Sequence, residues 1–184
     1  MAHHNDQHFA GHLCVAAGVS KPSFFCHTGD MSMASDIPIA HTPPGGYGQD
    51  LPAPILASCA EPLSGEAVDL RGTWEVVLVE SNGEIVAGHP LLGNIQRIEQ
   101  CGNRVVICSS GVVHDMGADG TLENGVHDVQ AADFTTEIHV TASFEEGVHV
   151  LRPEGMPIEV RRWLDGSEMV WEYGPMFTAR LKKL

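Results

Sequence analysis

The sequence predicts an all-β fold: an antiparallel up-and-down β-barrel over residues 70–184, preceded by a His- and Pro-rich extension over residues 1–69. Three observations predict it. From Leu70 onward apolar residues recur with a period of two, as in Thr73-Trp74-Glu75-Val76-Val77-Leu78-Val79, the period of a strand with one face buried. Turn dipeptides punctuate these runs at Asn82-Gly83, Gly102-Asn103, Asp119-Gly120 and Asp165-Gly166, and each supplies the positive φ that two-residue hairpin turns need. No long crossover interrupts the hairpins, which favours a closed barrel over a Greek-key sandwich, and closure removes exposed edges.

The elements follow in order. Phe9, Leu13 and Ala16 sit at helical spacing before Gly18, so a short helix is expected near the start; alone it is marginal in water and needs a surface to dock on. His4, His8 and His12 recur every four residues and would line one face of that helix, as a plain polar stripe or as ligands for a divalent metal. No carboxylate or cysteine completes a coordination set there, and no metal is expected. Six prolines between Pro38 and Pro62, with Pro43-Pro44-Gly45-Gly46-Tyr47-Gly48 among them, exclude a regular sheet and predict an extended strap over residues 37–69. Such a strap either wraps or caps the barrel or trails from it as a tail. Beyond it, strand-like runs fall at residues 73–80, 84–88, 94–101, 104–109, 111–116, 122–131, 135–144, 147–152, 157–164, 168–173 and 176–182. Merging the shortest leaves about eight to ten strands.

Composition narrows the function. With 10 Lys plus Arg against 24 Asp plus Glu, the 184-residue chain carries a formal charge of −14. An acidic protein of this kind lacks the clustered cations that bind a phosphate backbone, so no nucleic-acid partner is expected. No apolar run approaches the roughly 18 residues that span a bilayer. The five cysteines form an odd set without C-x-x-C spacing, which reads as unpaired thiols in a reducing, cytoplasmic setting. A Gly-rich phosphate loop, a G-x-S-x-G elbow and an H-E-x-x-H pair are all absent from the sequence, which excludes kinases, dinucleotide enzymes, serine hydrolases and zincins.

Turn positions assign the faces, because side chains alternate along a strand. A two-residue turn at Asp165-Gly166 sets Arg162 opposite Met169, Val160 opposite Trp171 and Ile158 opposite Tyr173 on one face, with Glu159, Arg161 and Trp163 on the other. The charged face suits solvent, so Arg162 points into a lumen lined by Ile158, Val160, Leu164, Met169, Trp171 and Tyr173. A buried guanidinium requires an anion, supplied either by Asp115 or Asp128 or by a ligand. The Gly102-Asn103 turn sets Cys108 opposite Arg97, away from Cys101, and both thiols are expected to be inert. If Asp119-Gly120 centres a hairpin, His114 lies opposite His127 on an apolar face shared with Met116. Two such imidazoles suit acid–base work, ligation or plain hydrogen bonding. By the same alternation His139 and His149 are expected outside.

Gly72-Thr73-Trp74 at the mouth of the first strand resembles the G-x-W of the calycin barrels, the lipocalins and fatty-acid-binding proteins. Arg180-Leu181-Lys182-Lys183 resembles their closing strand. The resemblance implies that Arg180 packs over Trp74 and that the barrel holds a lumen for a small, mostly apolar molecule.

The expected function is therefore the binding of such a ligand, with its polar or anionic end at Arg162 and its body against Trp171, Met169, Val160, Ile158 and Met116. The alternative is a cofactor-independent lyase or isomerase in which His114 or His127 moves a proton while Arg162 or Tyr173 stabilises negative charge. A haem or metal carrier is a third option. No cofactor is required by the first two, the partner is a small-molecule ligand or substrate, and a homo-oligomer is compatible with the sequence.

Overall fold

A computed structural model describes residues 32–184; the helix and the His4, His8 and His12 stripe expected near the start lie outside the described residues. Eleven strands are present: β1 (Gly72–Ser81), β2 (Glu84–Ile85), β3 (Ile95–Cys101), β4 (Arg104–Ser109), β5 (Val112–Gly117), β6 (Val126–Val129), β7 (Glu137–Glu145), β8 (Val148–Pro153), β9 (Glu159–Asp165), β10 (Glu168–Gly174) and β11 (Phe177–Lys183). They form one antiparallel sheet in the order β5-β4-β3-β1-β11-β10-β9-β8-β7-β6, with the short β2 paired to β1 beside this path. The chain thus folds as the up-and-down barrel that the period-two runs predict.

Pairing of β1 with β11 closes most of the wall. The remaining seam, between β5 and β6, has no ladder; it is bridged by Gly117 N–H donating to Asn124 O at 2.6 Å and by His114 Nε2–H donating to Val129 O at 3.1 Å. Asp119-Gly120 does not make the expected tight hairpin. Its carboxylate accepts from Thr121 N and Oγ1 and from Asn124 Nδ2, an Asx-type arrangement that holds a wider connection. Consequently β6 takes its register from β7, with His127 opposite His139.

The inward faces form the main core, where Val76, Ile98, Val105, Met116, Met169 and Leu181 are almost wholly buried. Trp74 donates Nε1–H to Leu70 O at 2.8 Å, which satisfies the indole within an apolar setting. The cation over its ring is Lys183, with Nζ 5.5 Å from the centroid. This corrects the expectation for Arg180. A register irregularity between Val76 and Leu78 sets Arg180 opposite Leu78 and Lys183 opposite Trp74, and Arg180 instead pairs with Asp165 and Glu168 outside.

Within residues 32–69, the stretch from Ala34 to Cys59 lies against the outer face of β3, β4 and β5, while Ala67 and Val68 pack against the main core. A second core joins Ile37, Tyr47, Leu51, Ile55 and Leu56 of this segment to Cys101, Val106, Cys108 and Val113, so β4 is buried on both faces. A Pro-rich segment cannot ladder, and its backbone groups must find other partners. Barrel side chains supply them. Ala40 N donates to Asp115, Thr42 N to Asp128 and Leu56 N to Glu99, while Arg97 donates to the carbonyls of Pro52 and Ala53. Arg104 donates to the carbonyls of Ala34, Ile37 and Pro38 and also pairs with Asp115 at 2.6 Å. That ion pair is buried, and its remaining bonds to backbone offset the desolvation of both charges.

The cysteine expectation is also corrected. Cys101 is disulfide-bonded to Cys59, with Cα atoms 6.2 Å apart. An odd count does not reveal a pair whose partners lie 42 residues apart, and the inference from unpaired thiols to a reducing compartment loses its premise. Cys108 is free, lies opposite Arg97, and has its thiol pushed up to about 11 by burial. Among the described residues no helix is long and apolar enough to cross a membrane.

Candidate functional site

The barrel encloses a cavity of about 340 Å³, within the size range of sites for small organic molecules. Its walls are apolar: Ile107, Val112, Val126, Val140, Leu151 and Val160 line it, with Leu91, Met156 and Phe177 toward the mouth. Gln96, His114, Arg162, Trp171 and Tyr173 bring polar atoms into the same space.

The β9–β10 hairpin builds the polar side. Its faces are those expected from alternation, but its pairing is displaced by two residues: Asp165 pairs with Glu168, so Arg162 lies opposite Trp171 and Val160 opposite Tyr173. The guanidinium carbon of Arg162 sits 5.1 Å from the Trp171 ring centroid. Tyr173 stacks on Phe177 with centroids 5.5 Å apart, and Phe177 in turn meets Trp171 edge-on at 5.0 Å. These rings fix one another and give the cavity a rigid aromatic wall.

Arg162 is 5% exposed. Neither carboxylate suggested by the sequence reaches it, because Asp115 is held by Arg104 and Asp128 by Thr42 of the strap. Its Nε and Nη1 have no hydrogen-bond partner among the described residues. Desolvation pulls its pKa down to about 10, with only a weak opposing effect from Tyr173, so the side chain remains a cation at neutral pH. A buried, charged and unpaired guanidinium is costly unless something else provides the anion.

The two histidines expected to face each other are separated by the wall. His114 lines the cavity with its pKa lowered by burial. With Nε2–H given to Val129 O, its Nδ1 carries the lone pair. His127 is corrected to the outer face: Val126 takes the inward position, and His127 stacks on His139 with centroids 4.8 Å apart while donating to Leu122 O at 2.7 Å.

Met116 and Met169 are fully buried in the core but do not line the cavity, Ile158 lies half-buried just before β9 begins, and Leu164, expected in the lumen, is exposed toward the end of β9. Val160, Arg162, Trp171, Tyr173 and His114 are the expected residues that the fold brings together.

Two residues escaped the sequence reasoning. Gln96 is buried in the cavity wall, and both its amide atoms lack partners among the described residues. His149, expected outside, is fully buried against Phe144 at 5.2 Å between centroids. The signal for it was Glu146-Gly147, whose residues take φ of 49° and 81°. A two-residue turn there sets inward Phe144 opposite His149. Burial first, and the Arg162 cation second, push the His149 pKa down to about 3.

No protein-family model and no curated protein match this chain. Among solved structures, 45 chains match. One is human cRBP IV, with a TM-score of 0.44 and 10% identity, covering 64% of this chain and 99% of that chain.

Proposed function

We propose that this barrel binds a small, largely apolar organic molecule in its lumen, with the anionic end of the ligand at Arg162. The carrying observation is the buried Arg162 cation facing an apolar cavity, with no carboxylate among the described residues paired to it. Hydrogen bonds from a guanidinium to an oxyanion are charge-assisted, and the low dielectric around them strengthens the pair. The apolar walls supply the nonspecific part of the affinity, roughly in proportion to the area they remove from water.

The test is calorimetric titration with dodecanoate and with its methyl ester, which share a body but differ in charge. The acid is expected to bind about tenfold to a hundredfold more tightly than the ester, and Arg162→Met is expected to erase the difference. Equal binding of acid and ester by the unaltered protein would refute the role of Arg162.

A second reading, a cofactor-independent lyase or isomerase, is favoured by His114. It is an imidazole on the cavity wall, its pKa lowered by burial, whose Nε2–H is already committed to Val129 O, leaving Nδ1 to act as a base toward a bound substrate. His127 has no part in it from the outer face. The discriminating measurement is His114→Gln: a binder changes in affinity alone, whereas an enzyme loses turnover while still taking up ligand.

A further inference from the structure

We infer that the polar end of the cavity recognises an oxyanion that carries its own hydrogen-bond donor, as in a hydroxy-carboxylic acid or an acidic enol, in preference to a plain carboxylate. The inference rests on the ligand-binding role proposed above and names the head group. The ladders set His149 of β8 opposite Arg162 of β9, and Arg162 opposite Trp171 of β10. Three nitrogen-bearing side chains therefore stand in a row across three strands, one level deeper than the row formed by Leu151, Val160 and Tyr173. Gln96 enters the same cavity from β3.

All four polar side chains of this group are buried, and seven of their nitrogen and oxygen atoms lack a partner among the described residues: Arg162 Nε and Nη1, Trp171 Nε1, both ring nitrogens of His149 and both amide atoms of Gln96. Buried polar atoms are rarely left this way, and a cluster of them marks where something else must bond. Their chemistry is not uniform. Arg162 and Trp171 only donate, which selects an acceptor-rich, negative group. His149 does not line the cavity; Gln96 does, and its amide offers both a donor and an acceptor. A bare carboxylate has no hydrogen to give and leaves the Gln96 carbonyl unpaired. A hydroxyl beside the carboxylate, or the O–H of an enol, supplies what is missing, and each acceptor so satisfied is expected to improve affinity by about tenfold.

The experiment compares dodecanoate with α-hydroxydodecanoate by calorimetry on the full chain at neutral pH, then repeats both titrations on Gln96→Met, which keeps the side-chain volume but removes the amide. The hydroxy acid is expected to bind at least about tenfold more tightly, and the ratio is expected to fall toward unity in Gln96→Met, with melting temperature confirming that the variant folds. If the two acids bind the unaltered protein equally, the head-group inference fails while the lumen-binding role stands. An unchanged ratio in folded Gln96→Met removes Gln96 from the head-group site and overturns the donor-matching argument as stated. If neither acid binds, the lumen-binding role itself fails and the inference falls with it.

Discussion

Acidification provides a sharp test of the buried His149. In the folded protein its pKa lies at about 3, against 6.5 for a histidine in the unfolded chain. Between these values the unfolded chain takes up a proton that the folded one refuses, so stability falls as the pH drops below about 6.5. From pH ~7 to pH ~5 the linkage for this one residue amounts to about 2 kcal/mol, a large share of the roughly 5–15 kcal/mol of a typical domain. Carboxylates contribute little over that interval, because their unfolded pKa values lie near or below about 4.3. His114, also lowered by burial, adds to the loss with the same sign. The assay is urea unfolding at the two pH values for the unaltered protein and for His149→Phe, in which a ring of similar size stays beside Phe144. The unaltered protein is expected to lose about 2 kcal/mol more than the variant on acidification. Equal losses in the two proteins would refute the placement of His149 as a neutral, desolvated side chain.

Three further outcomes are expected. Asp115→Asn strips the buried Arg104 of its counter-charge and weakens the acceptor for Ala40 N, and chemical denaturation should show a loss of about 3–5 kcal/mol. Cys59→Ala opens a cross-link spanning 42 residues and is expected to lower stability by up to about 4 kcal/mol on the chain-entropy estimate, with mass measurement under non-reducing conditions confirming the bond in the parent. Lys183→Ala removes the cation over Trp74 and should cost about 0.5–1 kcal/mol and shift tryptophan emission, whereas Arg180→Ala, on the outer face, should leave the emission unchanged.

Strand positions were legible because Gly- and Asn-bearing turns interrupt the alternating runs. The Gly102-Asn103 hairpin illustrates this: its register, with Cys108 opposite Arg97, is the one alternation demands. The Asp165-Gly166 hairpin shows the limit. Taking the dipeptide itself as the loop displaced each partner by two residues, yet kept Arg162 inside, because an even displacement preserves the face. Face assignment failed where a turn was misjudged. Asp119 folds its carboxylate back on Thr121 and Asn124, which breaks the pairing that would have joined His114 to His127, and the Glu146-Gly147 turn that carries His149 inward was passed over. The acceptors of the strap could not be read from sequence at all. Asp115, Asp128 and Glu99 become its partners only once tertiary packing lays the chain across them.

The doubly buried β4 depends on the segment that precedes the barrel. Val105-Val106-Ile107-Cys108 has no internal charge, no proline and a high proportion of β-branched residues, the composition of segments that associate between chains when uncovered. Closing the barrel shields Val105 and Ile107 but leaves Val106 and Cys108 beside Val113 as an apolar stripe, which Ile37, Tyr47, Leu51, Ile55 and Leu56 of the preceding segment cover. That segment thus completes the burial of one strand, and because it precedes the barrel in the chain, it leaves the ribosome before the strand it covers.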